Sequence, residues 1–238
     1  MQGGLSVICW AREPKAALGR LVNCLTQGYQ LYEGHYELQI VLVSPEAGAV
    51  NLGQAYNMAL ERAVYPTRLF MHDDVYIHDR CFVSKIDEML SDQHIGVLGI
   101  VGSDVDTGAA FFHAPTQHHR GRKLVMWWPE RARVQMIDGL LMVTRLPLHF
   151  SEEYEGVHMA VEDFCMQAHA QDYELWTIDS LVDHASGGTI DDAYWRSAHT
   201  FRAKWQHLFA PDIPPLSKYR DEAAPMEEVR SEFRLDVV

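Results

Sequence analysis

The residues best equipped for chemistry in this chain sit in a few short acidic and imidazole-bearing stretches. "HDD" at 72–74 follows directly on the apolar residues Leu69, Phe70 and Met71, and Val75 to Ile77 resume the apolar pattern. Two adjacent carboxylates at the end of a core strand repel each other and resist desolvation, so a cation must sit on them or they must face water. "ED" at 162–163 opens a helical stretch, where a carboxylate either complements the helix dipole or serves as a general base. "DG" at 138–139 ends an apolar run, and a glycine there admits a closely approaching substrate or marks a bulge. His184 ends another such run, just before "ASGG".

These residues need a rigid frame. "LSVICW" (5–10), "ELQIVLVS" (37–44) and "TRLFMHDDV" (67–75) read as buried strands. Between them, "EPKAALGRLVNCLTQ" (13–27) and "NLGQAYNMALERAV" (51–64) read as helices, the first with Pro14 near its start. Strand–helix–strand–helix–strand predicts an α/β fold with a parallel, doubly wound sheet. In such sheets ligands bind beyond the carboxyl ends of the strands, which is where the HDD triplet falls. Farther on, the pattern predicts a helix over 81–93, a strand over 94–103, a strand over 134–145, a helix over 160–173, a strand within 174–184 and an amphipathic helix over 191–209. Residues 104–134 are irregular in pattern and long for a plain connection, so they read as a functional loop or a hairpin insertion. After Ala210 the chain turns Pro-rich and then acidic, and residues 213–238 are expected to form a tail.

With 238 residues and 47% hydrophobic composition, the chain can bury a sizeable core. Twenty basic against 33 acidic residues give a formal charge of −13, which argues against nucleic acid as a partner. Phosphates would be handled through a metal cation or a few placed basic residues, such as Arg196, Arg202 and Lys204 or the basic run "QHHRGRK" at 117–123. Cys9, Cys24, Cys81 and Cys165 form no CxxC pair. Cys9 and Cys165 lie in apolar contexts and read as reduced core residues, which favours the cytoplasm. No signal peptide or transmembrane segment is expected, and peripheral contact with a membrane is compatible with the sequence.

The ordered set "LSVICWAREP", "NLGQAYNMALERA", "LFMHDDVYI", "IDGLLMVTR", "VEDF" and "VDHASGG" resembles family-2 glycosyltransferases of the GT-A fold. It is most similar to the bacterial glycosyltransferase-like branch, in which HDDV stands where relatives carry Asp-x-Asp. The likeness runs from about residue 5 to about 209, almost the whole chain outside the tail. It implies a Rossmann-like, mostly parallel central sheet flanked by helices in one domain over 1–212. Residues 1–103 would form the nucleotide-binding half and 104–212 the acceptor half. It also implies transfer of a sugar from a nucleotide-diphosphate sugar to a glycan or other hydroxyl acceptor, aided by a divalent metal, Mn2+ or Mg2+.

On that resemblance Asp74 and His184 are the expected metal ligands. Oxygen ligands suit a hard cation, and a neutral imidazole suits Mn2+ better than Mg2+. His72, Asp73 and Asn57 are the expected nucleotide contacts, with Asp73 alternatively a turn cap and Asn51 a helix cap. Asp163 is the expected general base, ahead of Glu162. Asp138, Gly139, Glu162 and Trp195 are expected on the acceptor side. Trp127, Trp128 and Trp195 could stack on sugar faces or be packed in the interior.

Two other functions fit the same residues. A GT-A domain without the first Asp of Asp-x-Asp could bind a nucleotide sugar or glycan without catalysis. A metal-dependent phosphohydrolase could use the acidic cluster to activate water. Asp163 and the "DG" segment favour the transferase.

Overall fold

The computed structural model describes residues 3–29, 36–104, 109–112, 115–119, 122–125, 131–184 and 190–208. The first five elements alternate as their patterns require. They are β1 (Gly3–Trp10), α1 (Pro14–Tyr29), β2 (Tyr36–Val43), α2 (Leu52–Leu60) and β3 (Thr67–Met71). Pro14 takes the first position of α1, where its missing N–H costs nothing. Asn51 caps α2, its side chain accepting from the Gln54 N–H at 2.9 Å. β1 pairs in parallel with both β2 and β3.

Beyond β3 the structure divides what the pattern joined. The expected strand 67–75 stops at Met71 and resumes as β4 (Val75–Ile77) in a different sheet. After α3 (Phe82–Met89), the expected strand 94–103 splits into β5 (Ile95–Gly99) and β6 (Val101–Asp104), again in different sheets. The 104–134 segment contains β7 (Ala109–Phe112), β8 (Pro115–His119), β9 (Arg122–Val125) and β10 (Arg133–Val134). The β6–β7 and β8–β9 pairs are antiparallel, so the hairpin reading holds for its described part. The expected strand 134–145 is β11 (Met136–Ile137) and β12 (Leu141–Thr144), interrupted at Asp138–Gly139. Then come α4 (Ala160–His169), β13 (Glu174–Thr177), β14 (Val182–His184) and α5 (Asp192–Trp205).

The central sheet has seven strands in the order β10-β13-β5-β12-β3-β1-β2. β12 runs antiparallel to β3 and β5, and β10 antiparallel to β13, while the other five strands share one direction. The result is the mostly parallel GT-A architecture, with one reversed strand in the middle. Side chains alternate between two apolar layers, as strands covered on both faces must. Leu69 and Met71 of β3 join α1 and α3, whereas Phe70 joins α2, α4 and α5. Gly99, at the end of β5, is where the sheets meet; a Cβ there would lie 2.2 Å from Ile137 Cγ2, so only glycine permits the contact. Among the described residues no helix is long and apolar enough to cross a membrane.

A third sheet, β4-β14-β8-β9, sits at the carboxyl edge of the central one. β14 is antiparallel to β4, in a register that sets His184 opposite Val75. Two distant parts of the sequence are thereby brought to the place where β3 ends.

Candidate active site

The chain leaves β3 through a short turn. The His72 N–H donates to the Leu140 carbonyl at 3.0 Å, the last link to β12, and Arg20 Nε donates to the Asp73 carbonyl at 2.9 Å. This fixes the backbone of the triplet from both sides. The donor atoms of His72, Asp74 and His184 then lie within 4.8 Å of one another. His184 Nε2 is 3.2 Å from Asp74 Oδ1, yet it is buried and makes no hydrogen bond among the described residues. The rings of His72 and His184 are 5.5 Å apart, centre to centre.

Burial pushes the His72 pKa down; the nearby His184 acts in the same direction, and Asp138, Asp74 and Asp73 oppose it. A neutral His72 keeps a lone pair for coordination. Two imidazole nitrogens and a carboxylate oxygen, with one nitrogen buried and lacking a hydrogen bond, are a donor set that fits a divalent transition metal. His72, expected to touch the nucleotide, is grouped here with the two expected metal ligands.

Asp138 and Gly139 form the adjoining wall. The Asp138 N–H donates to the Val101 carbonyl at 2.9 Å, and its carboxylate accepts from the Leu140 N–H at 2.8 Å across Gly139. The Asp138 side chain is exposed, and its charge is felt by both His72 and Glu162. A Cβ on Gly139 would meet Val161 Cγ2 at 3.4 Å, so no crowding from the protein requires glycine here.

The two carboxylates at the start of α4 have opposite surroundings. Met159 precedes the helix in the left-handed region (φ 59°) and supplies no side-chain cap. Glu162 is half-buried; burial and then the charge of Asp138 push its pKa up to about 8. Asp163 is 0% exposed. Its Oδ1 accepts from Tyr154 Oη at 2.6 Å, Trp205 Nε1 at 2.8 Å and Lys204 Nζ at 2.8 Å. Its Oδ2 accepts from Ser151 Oγ at 2.6 Å and Gln167 Nε2 at 2.8 Å. Burial alone would raise its pKa, but the hydrogen bonds from Lys204, Ser151, Tyr154 and Trp205 hold it below the ordinary value. The residue expected as the base is thus enclosed by donors, and its neighbour is the more open of the two.

Asn57 is also placed elsewhere than expected. Its Nδ2 donates to the Phe150 carbonyl at 2.9 Å and to Glu152 Oε1 at 2.8 Å, while its Oδ1 accepts from the Phe150 N–H at 2.9 Å. It clamps the 150–152 segment onto α2. Gly53 lets that segment come close, since a Cβ there would fall 2.2 Å from the Ser151 carbonyl oxygen. Asn51, besides capping α2, donates to the Glu152 carbonyl at 2.9 Å.

Trp195 is half-buried, edge-on to Tyr194 at 5.3 Å. With Asp192, Arg196 and His199 it lines an open recess of about 280 Å3. Arg196 is held by a two-pronged contact with Glu155, at 2.7 Å each. Lys204 is engaged by Glu153 as well as Asp163. Neither is set aside for phosphate. Sequence reasoning missed Arg20 and Tyr194. Tyr194 lies close enough to Glu162 and Asp138 for their charges to act with burial in raising its pKa; its position beside Trp195 on the first turn of α5 was the available signal. Residues 185–188, Trp127, Trp128 and the 213–238 tail lie outside the described residues, as do the side chains of 117–123.

Comparison with known proteins agrees with this fold. No curated protein matches the chain in sequence. Among solved structures, TarS of S. aureus (residues 1–349) superposes with a TM-score of 0.55 at 15% identity, over 98% of this chain and 73% of that one. The mannosyltransferase PcManGT of Pyrobaculum calidifontis, in complex with GDP-Man and Mn2+, gives 0.54 at 12% identity, over 89% and 66%. The catalytic domain of Drosophila beta1,4galactosyltransferase 7 gives 0.52 at 12% identity, over 83% and 80%. Residues 24–185, more than half of the chain, match the model of the glycosyltransferase-like family. With the GT-A sheet in place, the chain belongs to that family and is a glycosyltransferase.

Proposed function

We propose that the chain moves a sugar, with inversion, from a nucleotide-diphosphate sugar to an acceptor hydroxyl in a metal-dependent reaction. The observation that carries this reading is the convergence of His72, Asp74 and His184 where β3 ends, next to Asp138, whose charge also reaches Glu162. A divalent cation held by His72, Asp74 and His184 would supply the positive charge that the diphosphate oxygens need, with Mn2+ supported by the two imidazoles and by the Mn2+ complex of PcManGT. Nucleotide-sugar complexes of PcManGT and TarS support the donor class.

Glu162 is the base in this reading, in place of the expected Asp163. It takes the proton of the acceptor hydroxyl as the new C–O bond forms. The bond from the anomeric carbon to the diphosphate oxygen breaks, and its electron pair leaves with the nucleoside diphosphate. Attack from the face opposite the leaving group inverts the anomeric centre. Asp138 raises the proton affinity of Glu162, and Tyr194, Trp195 and the 280 Å3 recess supply aromatic surface on the acceptor side.

The test is release of nucleoside diphosphate from a panel including UDP-GlcNAc and GDP-mannose, with and without MnCl2, alongside thermal melts. Metal-dependent release from one donor is the expected outcome. Stabilisation by nucleotides without turnover would leave a binding module. Hydrolysis of simple phosphate esters with no use of any nucleotide sugar would make the chain a phosphohydrolase.

A further inference from the structure

The enclosed carboxylate has a role that the base assignment leaves unused. We infer that Asp163 is a positioning residue: through one carboxylate it locks the first turn of α4, and hence Glu162, against α5 and the 151–154 segment. This inference rests on the reading of Glu162 as base.

A carboxylate offers about four lone-pair sites. Five donor atoms already converge on Asp163, from Ser151, Tyr154, Gln167, Lys204 and Trp205. An acceptor hydroxyl has no site left to address, and the residue is 0% exposed. The donors come from three parts of the chain: the 151–154 segment, the next turn of α4 and the last turn of α5. Gln167 also donates to the His149 carbonyl at 3.1 Å, and Asn57 ties residues 150 and 152 to α2. One carboxylate therefore joins α4, α5 and the 151–154 segment, which Asn57 in turn ties to α2.

The first turn of α4 needs such a lock. It begins at Met159 in the left-handed region, with no side-chain cap, and both features leave a helix start dependent on tertiary contacts. Asp163 lies on that turn, its N–H donating to the Met159 carbonyl at 2.9 Å. Glu162 is its neighbour, so the direction in which Glu162 points is set by what holds Asp163. At its other end α5 places Tyr194 near Glu162, and the lock fixes that approach as well.

Asp163→Asn, Lys204→Met and the double variant separate the two roles. Thermal melts need no substrate. With Asp163→Asn the melting midpoint should fall by roughly 6–20 °C, as expected when a buried charge loses its partner. Lys204→Met should lower it too, and the double variant should recover at least half of the loss. An Asp163→Asn midpoint within about 2 °C of the parent would overturn the inference. Should Asp163→Asn yield no folded protein, the Lys204→Met midpoint decides in the same way.

Turnover of UDP-GlcNAc or GDP-mannose with MnCl2 adds a readout that mere destabilisation does not move. A positioning role predicts that the double variant returns to within about tenfold of the parent and keeps its rise in rate towards alkaline pH. A base role predicts that it stays inactive, and that Lys204→Met, with a freer Asp163, loses nothing. Glu162→Gln is the control for the parent reading. If it leaves turnover and pH profile unchanged, Glu162 is not the base, while the melts still report whether Asp163 is the lock.

Discussion

Two polar corners of this protein look alike in composition and differ in closure. Around Asp163, every carboxylate lone pair meets a donor from the protein itself. Around Asp74, the buried His184 Nε2 stands 3.2 Å from a carboxylate oxygen and forms no hydrogen bond among the described residues. The first corner is complete and contributes stability. The second leaves a buried polar atom unpaired, which carries a desolvation cost that the proposed cation would relieve. Closure, more than residue type, separates an anchor from a binding site here.

The largest effect should come from Asp74→Ala. Stabilisation by MnCl2 with UDP or GDP, worth about 2.7 kcal/mol at a hundredfold excess over Kd, should vanish in melts while the fold remains. A variant that keeps its Mn2+ response would erase the contrast between the corners.

Next is Glu162→Gln, expected to lower turnover by about 10²–10⁴-fold in a donor-consumption assay. In the parent the rate should rise with pH up to about 8, as Glu162 loses its proton. Equal rates for Glu162→Gln and the parent would return the base to another residue.

The two neighbouring carboxyls should also show opposite pH signatures in melts. Glu162 has a pKa raised from 4.5 to about 8, so its contribution to stability is whole below the unfolded value and is lost as pH rises through about 8. Asp163 is held below 3.8, so its contribution is present above that value and is lost as pH falls through the folded one. Glu162→Gln should flatten the alkaline side of the melting curve, whereas Asp163→Asn should flatten the acid side. Matching profiles would show that the two neighbouring carboxyls share one environment.

The smallest effect should come from Asn57→Ala. Loss of its bonds to the 150–152 segment should cost about 1–3 kcal/mol in denaturant unfolding, with nucleotide affinity unchanged. Weakened UDP or GDP binding would instead place Asn57 in the donor site, as its sequence position suggests.

The first five elements were legible because short apolar runs alternate with stretches of helical spacing. The reversed β12 was not. "LMVT" is buried on both faces, and a short apolar run carries no sign of its direction. The break at His72 was legible as chemistry, two carboxylates ending a strand, but not as a change of sheet. Asp74 and His184 could be named through the resemblance to family-2 glycosyltransferases, helped by their places at the ends of apolar runs. Their meeting depends on the β4–β14 register, which no local signal specifies. Glu162 and Asp163 are adjacent, so spacing could not rank them. One of the donors that enclose Asp163, Trp205, lies 42 residues farther along the chain.

The reversed strand has a consequence for how the molecule is made. Leu141–Thr144 fills the slot between β3 and β5, both of which precede residue 103. A ribosome that has delivered only the first 103 residues has made two strands whose native edge partner, β12, is still unsynthesised. Those edges are apolar and unsatisfied, the condition that invites aggregation. Residues 1–103 therefore lack the strand that joins their two parts of the sheet. A fragment cut at residue 103 should aggregate, and one that includes residue 144 can close the middle of the sheet.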